Sequence, residues 1–95
     1  MTARQLIEQL SPYAGEEIEQ VVTESGEGVT GVHPDDAYIV LDTSAAGDSL
    51  TVDALIAGLK QCDAAMEVVT DGMADIRGAA YECIVYPTVY LKYRI

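Results

Sequence analysis

The chain has 95 residues, with 16 Asp plus Glu against 5 Lys plus Arg, a formal net charge of −11. That length predicts one domain over 1–95, and 49% hydrophobic residues exclude a disordered acidic tail. No run approaches the roughly 18 apolar residues of a membrane span, and the charge excludes direct attachment to nucleic acid or an anionic bilayer, both of which need a basic footprint.

The first predicted element is a helix. Thr2 and Gln5 have capping-box spacing, Ala3, Leu6, Ile7 and Leu10 fall on one helical face, and Pro12 discourages continuation. Gly15 and the Val21-Val22-Thr23 run favour a strand within 16–24, followed by turn chemistry at Gly26-Glu27-Gly28. His33-Pro34-Asp35-Asp36 reads as a loop between two strands, and Asp42 to Asp48, all small or polar, reads as a linker. A second helix opens at Thr51, with Val52, Leu55, Ile56 and Leu59 on one face and Asp53 at its positive end. Val68-Val69-Thr70 predicts another strand and Asp71-Gly72 another turn. From Tyr81 to Ile95 every odd position is apolar, which predicts strand with its odd face in the core; at Pro87 the strand is at an edge, bulges, or is two strands. The expected fold is α+β in two layers, an antiparallel sheet with both helices on one face.

The two halves, 1–48 and 49–95, resemble each other. Thr2, Leu6, Ile7 and Leu10 recur as Thr51, Leu55, Ile56 and Leu59. Val21-Val22-Thr23-Glu24 lines up with Val68-Val69-Thr70-Asp71, Val29-Thr30-Gly31 with Ile76-Arg77-Gly78, and Ile39-Val40 with Ile84-Val85. Two explanations stand open: a tandem helix–strand–strand unit, or two amphipathic helices and Val-rich strands that look alike by composition.

Little of the chain points to catalysis. His33 is the only histidine, and a metal or general-base role would need ligands that its neighbourhood in sequence does not supply. Asp42, Ser44, Gly47 and Asp53 imitate a calcium loop, but Ala46 cannot ligate and the element ahead of them is a strand. Cys62 and Cys83 lack CxxC spacing, Cys83 falls on the apolar strand face as a small hydrophobe, and two cysteines suggest a reducing, cytoplasmic setting. Without a signal peptide's apolar run, phosphate loop, catalytic triad or zinc spacing, the expectation is no enzyme, no metal and no cofactor.

Two surface features are candidates for partner binding. Ten acids and one base give residues 1–48 a net −9, and Glu16, Glu17, Glu19, Glu24, Glu27, Asp35 and Asp36 cluster on or beside the first hairpin. Carboxylates gathered on a rigid sheet can stand in for nucleic-acid phosphates and attract a basic groove; an ordinary solvated face or adaptation to high salt would give the same composition. Tyr86, Tyr90, Lys92 and Arg94 share the even face of the last strand, a partner-binding or homodimer surface unless cross-strand packing covers it.

Thr2-Ala-Arg-Gln-Leu-Ile-Glu-Gln-Leu10, with Glu17-Ile-Glu-Gln-Val-Val22 and Tyr38-Ile-Val-Leu-Asp42, resembles small phage- and prophage-encoded proteins that pair such a helix with two strands. The resemblance covers about residues 2–43 and implies a mobile-element protein without implying an activity. The expected function is a non-catalytic acidic module that binds a protein partner with a basic surface, in the form of an inhibitor mimicking nucleic acid. A self-associating phage assembly component is the alternative.

Overall fold

The computed structural model describes residues 1–16, 18, 20–45, 48–83 and 85–94. Helix α1 spans Ala3–Leu10; the Thr2 hydroxyl accepts the Gln5 N–H while the Gln5 side chain accepts the Thr2 N–H. This reciprocal cap satisfies two donors that a helix start leaves free. A 3-10 turn at Ser11–Tyr13 follows, then β1 (Gln20–Thr23), β2 (Gly28–Pro34) and β3 (Tyr38–Ser44). Helix α2 (Val52–Lys60) is capped by Thr51, and β4 (Glu67–Thr70), β5 (Gly78–Cys83) and β6 (Pro87–Lys92) complete the order. Among the described residues no helix is long and apolar enough to cross a membrane.

The fold is α+β, with six strands in one sheet ordered β4-β3-β2-β1-β6-β5. The sheet is mixed, which corrects the purely antiparallel expectation. β1/β2, β2/β3 and β5/β6 are antiparallel, whereas β1/β6 and β3/β4 are parallel. Parallel neighbours need a crossover, and α2 supplies one by carrying the chain back so that β4 starts beside the start of β3. The β1/β6 ladder, Gln20↔Thr88 to Thr23↔Leu91, is a long-range pairing that no local turn signal announces. As a result β1, β3, β4 and β6 all run one way, and their C-terminal ends share one end of the sheet.

Three local expectations also change. β3 runs on through Ser44, so Asp42 begins no linker; Ala46 and Gly47 lie outside the described residues. His33 and Pro34 belong to β2, not to a loop. Asp35 N–H closes that hairpin on Tyr38 O (2.7 Å), so the ladder does not need the N–H that proline lacks. The alternating C-terminal run is two strands that reverse between Cys83 and Pro87, one of the alternatives left open at Pro87, but its odd positions do not share one buried face. Val89 and Leu91 point into the core, but Tyr81, Cys83 and Val85 are exposed, so Cys83 is not core filler; Ile84 and Ile95 lie outside the described residues.

One core joins both helices to the sheet. Leu6 and Leu10 of α1, Leu55 and Leu59 of α2, Leu41 of β3 and Leu91 of β6 are all fully buried within it. Each such side chain stabilises by about 1.5–3 kcal/mol relative to exposure. The helices touch one another, α1 meets β5 and α2 meets β2.

Backbone hydrogen bonds recur between the halves at a spacing of 47 residues. Thr23 N donates to Glu27 O (2.8 Å) and Thr70 N to Ala74 O (2.9 Å); Gly26 N donates to Thr23 O and Met73 N to Thr70 O. The ladders place Val21 opposite Val89 and Val68 opposite Ile39. Ile39 and Val40 therefore correspond to Val89 and Tyr90, not to Ile84 and Val85. The second hairpin carries three more residues at its tip than the first.

Gly26 (φ 86°) and Met73 (φ 64°) hold the same left-handed turn position. That conformation penalises a side chain by about 1–2 kcal/mol, partly offset by the entropy glycine loses on folding. Met73 is 60% exposed and gives up little burial. Urea denaturation should show Met73→Gly stabilised by about 0.5–1 kcal/mol and Gly26→Ala destabilised by about 1 kcal/mol; a destabilised Met73→Gly contradicts this turn assignment.

Candidate functional site

The shared C-terminal end of β1, β3, β4 and β6 gathers side chains from both halves. Two buried threonines hold it. Thr23 Oγ1 accepts the Glu27 N–H (3.3 Å) and Thr70 Oγ1 the Ala74 N–H (3.1 Å), each bracing the turn that follows its strand. Past these braces Glu24 N donates to Leu91 O and Asp71 N to Leu41 O, both at 2.9 Å, so each turn is also tied to the parallel neighbour.

The acidic side chains are fixed in the same way. Glu24 Oε1 accepts the Tyr93 N–H at 3.3 Å. Asp71 accepts the Thr43 N–H at 3.1 Å and the Thr43 hydroxyl at 2.7 Å. Glu27 Oε2 lies 3.4 Å from that same hydroxyl. Thr43 has a single hydroxyl proton, and the shorter contact goes to Asp71. Its hydroxyl first, and its N–H second, hold the Asp71 carboxyl below the ordinary 3.8 by stabilising the charged form.

The seven acids expected on one patch are not all there. Glu24 and Glu27 are at this end. Asp35 and Asp36 form the tip of the β2–β3 hairpin, at the other end of a seven-residue strand and so about 20 Å away at roughly 3.3 Å per residue. Glu16 is exposed ahead of β1, whose start faces that far end, while Glu17 and Glu19 lie outside the described residues. The expectation of a single patch is corrected because extended strands hold the turn and the tip apart. Asp71 joins the set unannounced by local charge; its place opposite Glu24 in the repeated Thr-acid pair was the available signal.

Two of the four candidates on the last strand share a cavity. Tyr86 and Tyr90 line one cavity of about 190 Å³ with Gln20, Glu82, Val85 and Thr88. Lys92 and Arg94 are exposed at the C-terminal end of β6, beside the turn that carries Glu24, and do not line that cavity. Within β6, Val89 and Leu91 are buried, which leaves Tyr90 and Lys92 together on the opposite side of the strand.

His33 Nδ1 lies 3.2 Å from Asp42 Oδ2, both side chains about half exposed (50% and 45%). The register that brings β2 against β3 makes this contact, and nothing in the local sequence shows it. Cys62 Sγ is 3.6 Å from Gly58 O within its own helix end. Among the described residues no three His, Cys, Asp or Glu side chains are grouped to hold a metal ion. Comparisons with family models, curated proteins and solved structures find no match for this chain.

Because folding lowers the Asp71 pKa, its contribution to stability is complete above 3.8 and is lost as pH falls through and below that value. Plotted against pH, the urea midpoint of Asp71→Asn should fall less steeply on the acid side than that of the parent chain. An unchanged acid limb contradicts the Thr43 bond.

Proposed function

We propose that this chain is a non-catalytic protein-binding module whose carboxylates engage a basic surface on another protein. The observation that carries the reading is the meeting of Glu27 and Asp71, from turns in different halves, on the one Thr43 hydroxyl. Carboxylates already held by the fold lose little conformational freedom on binding. The net charge of −11 steers a basic partner toward them. The narrower form, an inhibitor from a phage or mobile element that mimics nucleic acid, draws on the same groups and the small size. It now rests on Glu24, Glu27 and Asp71, since Asp35 and Asp36 sit at the far end.

The recurrence between the halves supports a tandem duplication of a helix followed by three strands. Leu50 N donates to Val29 O at 2.7 Å and the Met1 ammonium to Ile76 O at 2.8 Å, the same contact made twice. Composition alone gives no reason for hydrogen bonds to repeat at one spacing. Mutual contact of the helices over one core supports reading them as a layer against the sheet.

Two double variants remove equal charge from opposite ends: Glu27→Gln with Asp71→Asn, and Asp35→Asn with Asp36→Asn. On a polylysine surface the first pair should weaken binding about three- to tenfold, as two exposed charge contacts allow, and the second much less. Parent binding should fall steeply between about 50 and 200 mM salt. Equal loss in both pairs would mean bulk charge alone, and the site reading fails.

A further inference from the structure

The β5–β6 hairpin exceeds its counterpart by three residues, and the difference falls at its tip. Between Pro34 and Ile39 the first hairpin has four residues, Asp35 to Tyr38; between Tyr81 and Val89, the positions that correspond in register, the second has seven, of which the pairs Glu82↔Thr88 and Cys83↔Pro87 lengthen the ladder before the chain reverses. The fold closes the shorter hairpin without any extension, so stability does not require one. The longer tip brings Val85, 76% exposed, and Tyr86, 65% exposed, to a surface where apolar side chains are costly to leave in water. Val85 and Tyr86 are also walls of the cavity of about 190 Å³, whose other walls are Gln20, Glu82, Thr88 and Tyr90.

Two tyrosines, a valine, a carboxylate and an amide are a receptor for one kind of group. A cationic side chain lays its stem on apolar surface and its charge on aromatic faces and a carboxylate. The Thr88 hydroxyl lies 3.1 Å from both Gln20 Oε1 and Tyr86 O and has one proton to share between them. None of the six lining residues is basic. The corresponding place in the other half has cations among its own walls, each beside a carboxylate. There the ladder sets Tyr38 against Glu67, as it sets Thr88 against Gln20. The cavity of about 390 Å³ there is lined by Tyr38, Glu67 and Asp75 together with Met1 and Arg77. Arg77 Nη2 is 3.6 Å from Asp75 Oδ2 and the Met1 ammonium 2.9 Å from Glu67 Oε2.

We propose that the cavity between Tyr86, Tyr90 and Glu82 receives an arginine side chain of a protein partner. The planar guanidinium stacks on tyrosine and forks onto a carboxylate better than an ammonium does. A second copy of this chain is a poor occupant, because two bodies of net charge −11 repel and each would bring a Glu82 to the contact. The proposal rests on the reading of this chain as a binder of basic protein surfaces, and it names the pocket and the side chain.

The test is an amide-shift titration with acetylated tri-arginine amide in about 0.15 M salt, with tri-citrulline and tri-lysine as controls. Tri-arginine should shift Gln20, Glu82, Val85, Tyr86 and Tyr90; tri-lysine should bind more weakly there, and tri-citrulline not at all. Glu82→Gln and Tyr86→Ala, both at exposed positions, should each weaken tri-arginine about threefold or more. Shifts confined to Glu24, Glu27 and Asp71 overturn the pocket and leave the wider reading standing; no binding at either place overturns both. Concentration-dependent dimerisation that Tyr86→Ala abolishes would make the hairpin a self-contact and also overturn the proposal.

Discussion

The two parallel ladders, β1 against β6 and β3 against β4, are the constraint on which the rest of the structure depends. Each joins a strand of one half to a strand of the other. Without them the first half would keep the β1–β2–β3 sheet and the second only the β5–β6 hairpin, with β4 unpaired, and neither has enough core to stand alone. With them, four strands point the same way, and the turns that follow converge at one end. The hydrogen bonds from Glu24 N to Leu91 O and from Asp71 N to Leu41 O are the last rungs of those ladders, carried one residue into each turn. The acidic side chains take their positions from those rungs.

The halves share a scaffold and differ at its ends. The first hairpin ends in Asp35 and Asp36, the second in Val85 and Tyr86. At corresponding rungs Tyr38 and Glu67 line a cavity together with Met1 and Arg77, whereas Thr88 and Gln20 line one together with two tyrosines and no basic residue. The backbone geometry repeats while the tips differ, because the hydrogen-bonded ladder tolerates changes at turns that it does not tolerate within strands. The acidic end and the tyrosine cavity are thus two separate surfaces at opposite ends of β6.

Much of this was legible in the sequence where the signal is local. Both helix caps, the Val-rich strands and the two tight turns follow from residues within a few positions of one another, and the offset of 47 residues was visible in Val21-Val22-Thr23-Glu24 and Val68-Val69-Thr70-Asp71. What failed was non-local. Strand direction depends on which distant strand is met, so β1 beside β6 could not be read from turns. The misplaced match of Ile39-Val40 with Ile84-Val85 shows the same limit: identical residue types outweighed a register that only the ladder defines. The charge cluster misled because nearness in sequence, Glu24 to Asp36, spans the whole length of β2. Asp71 and Thr43 were missed as partners because they meet only through the parallel pairing of β3 and β4.

The most direct measurement is a set of interstrand nuclear Overhauser contacts in the two ladders. Parallel pairing predicts cross-peaks that advance together, from Gln20 with Thr88 to Thr23 with Leu91, and from Tyr38 with Glu67 to Leu41 with Thr70. Contacts that run in opposite directions along either pair, or none between the halves, would contradict the interlocked frame and with it the placement of both surfaces.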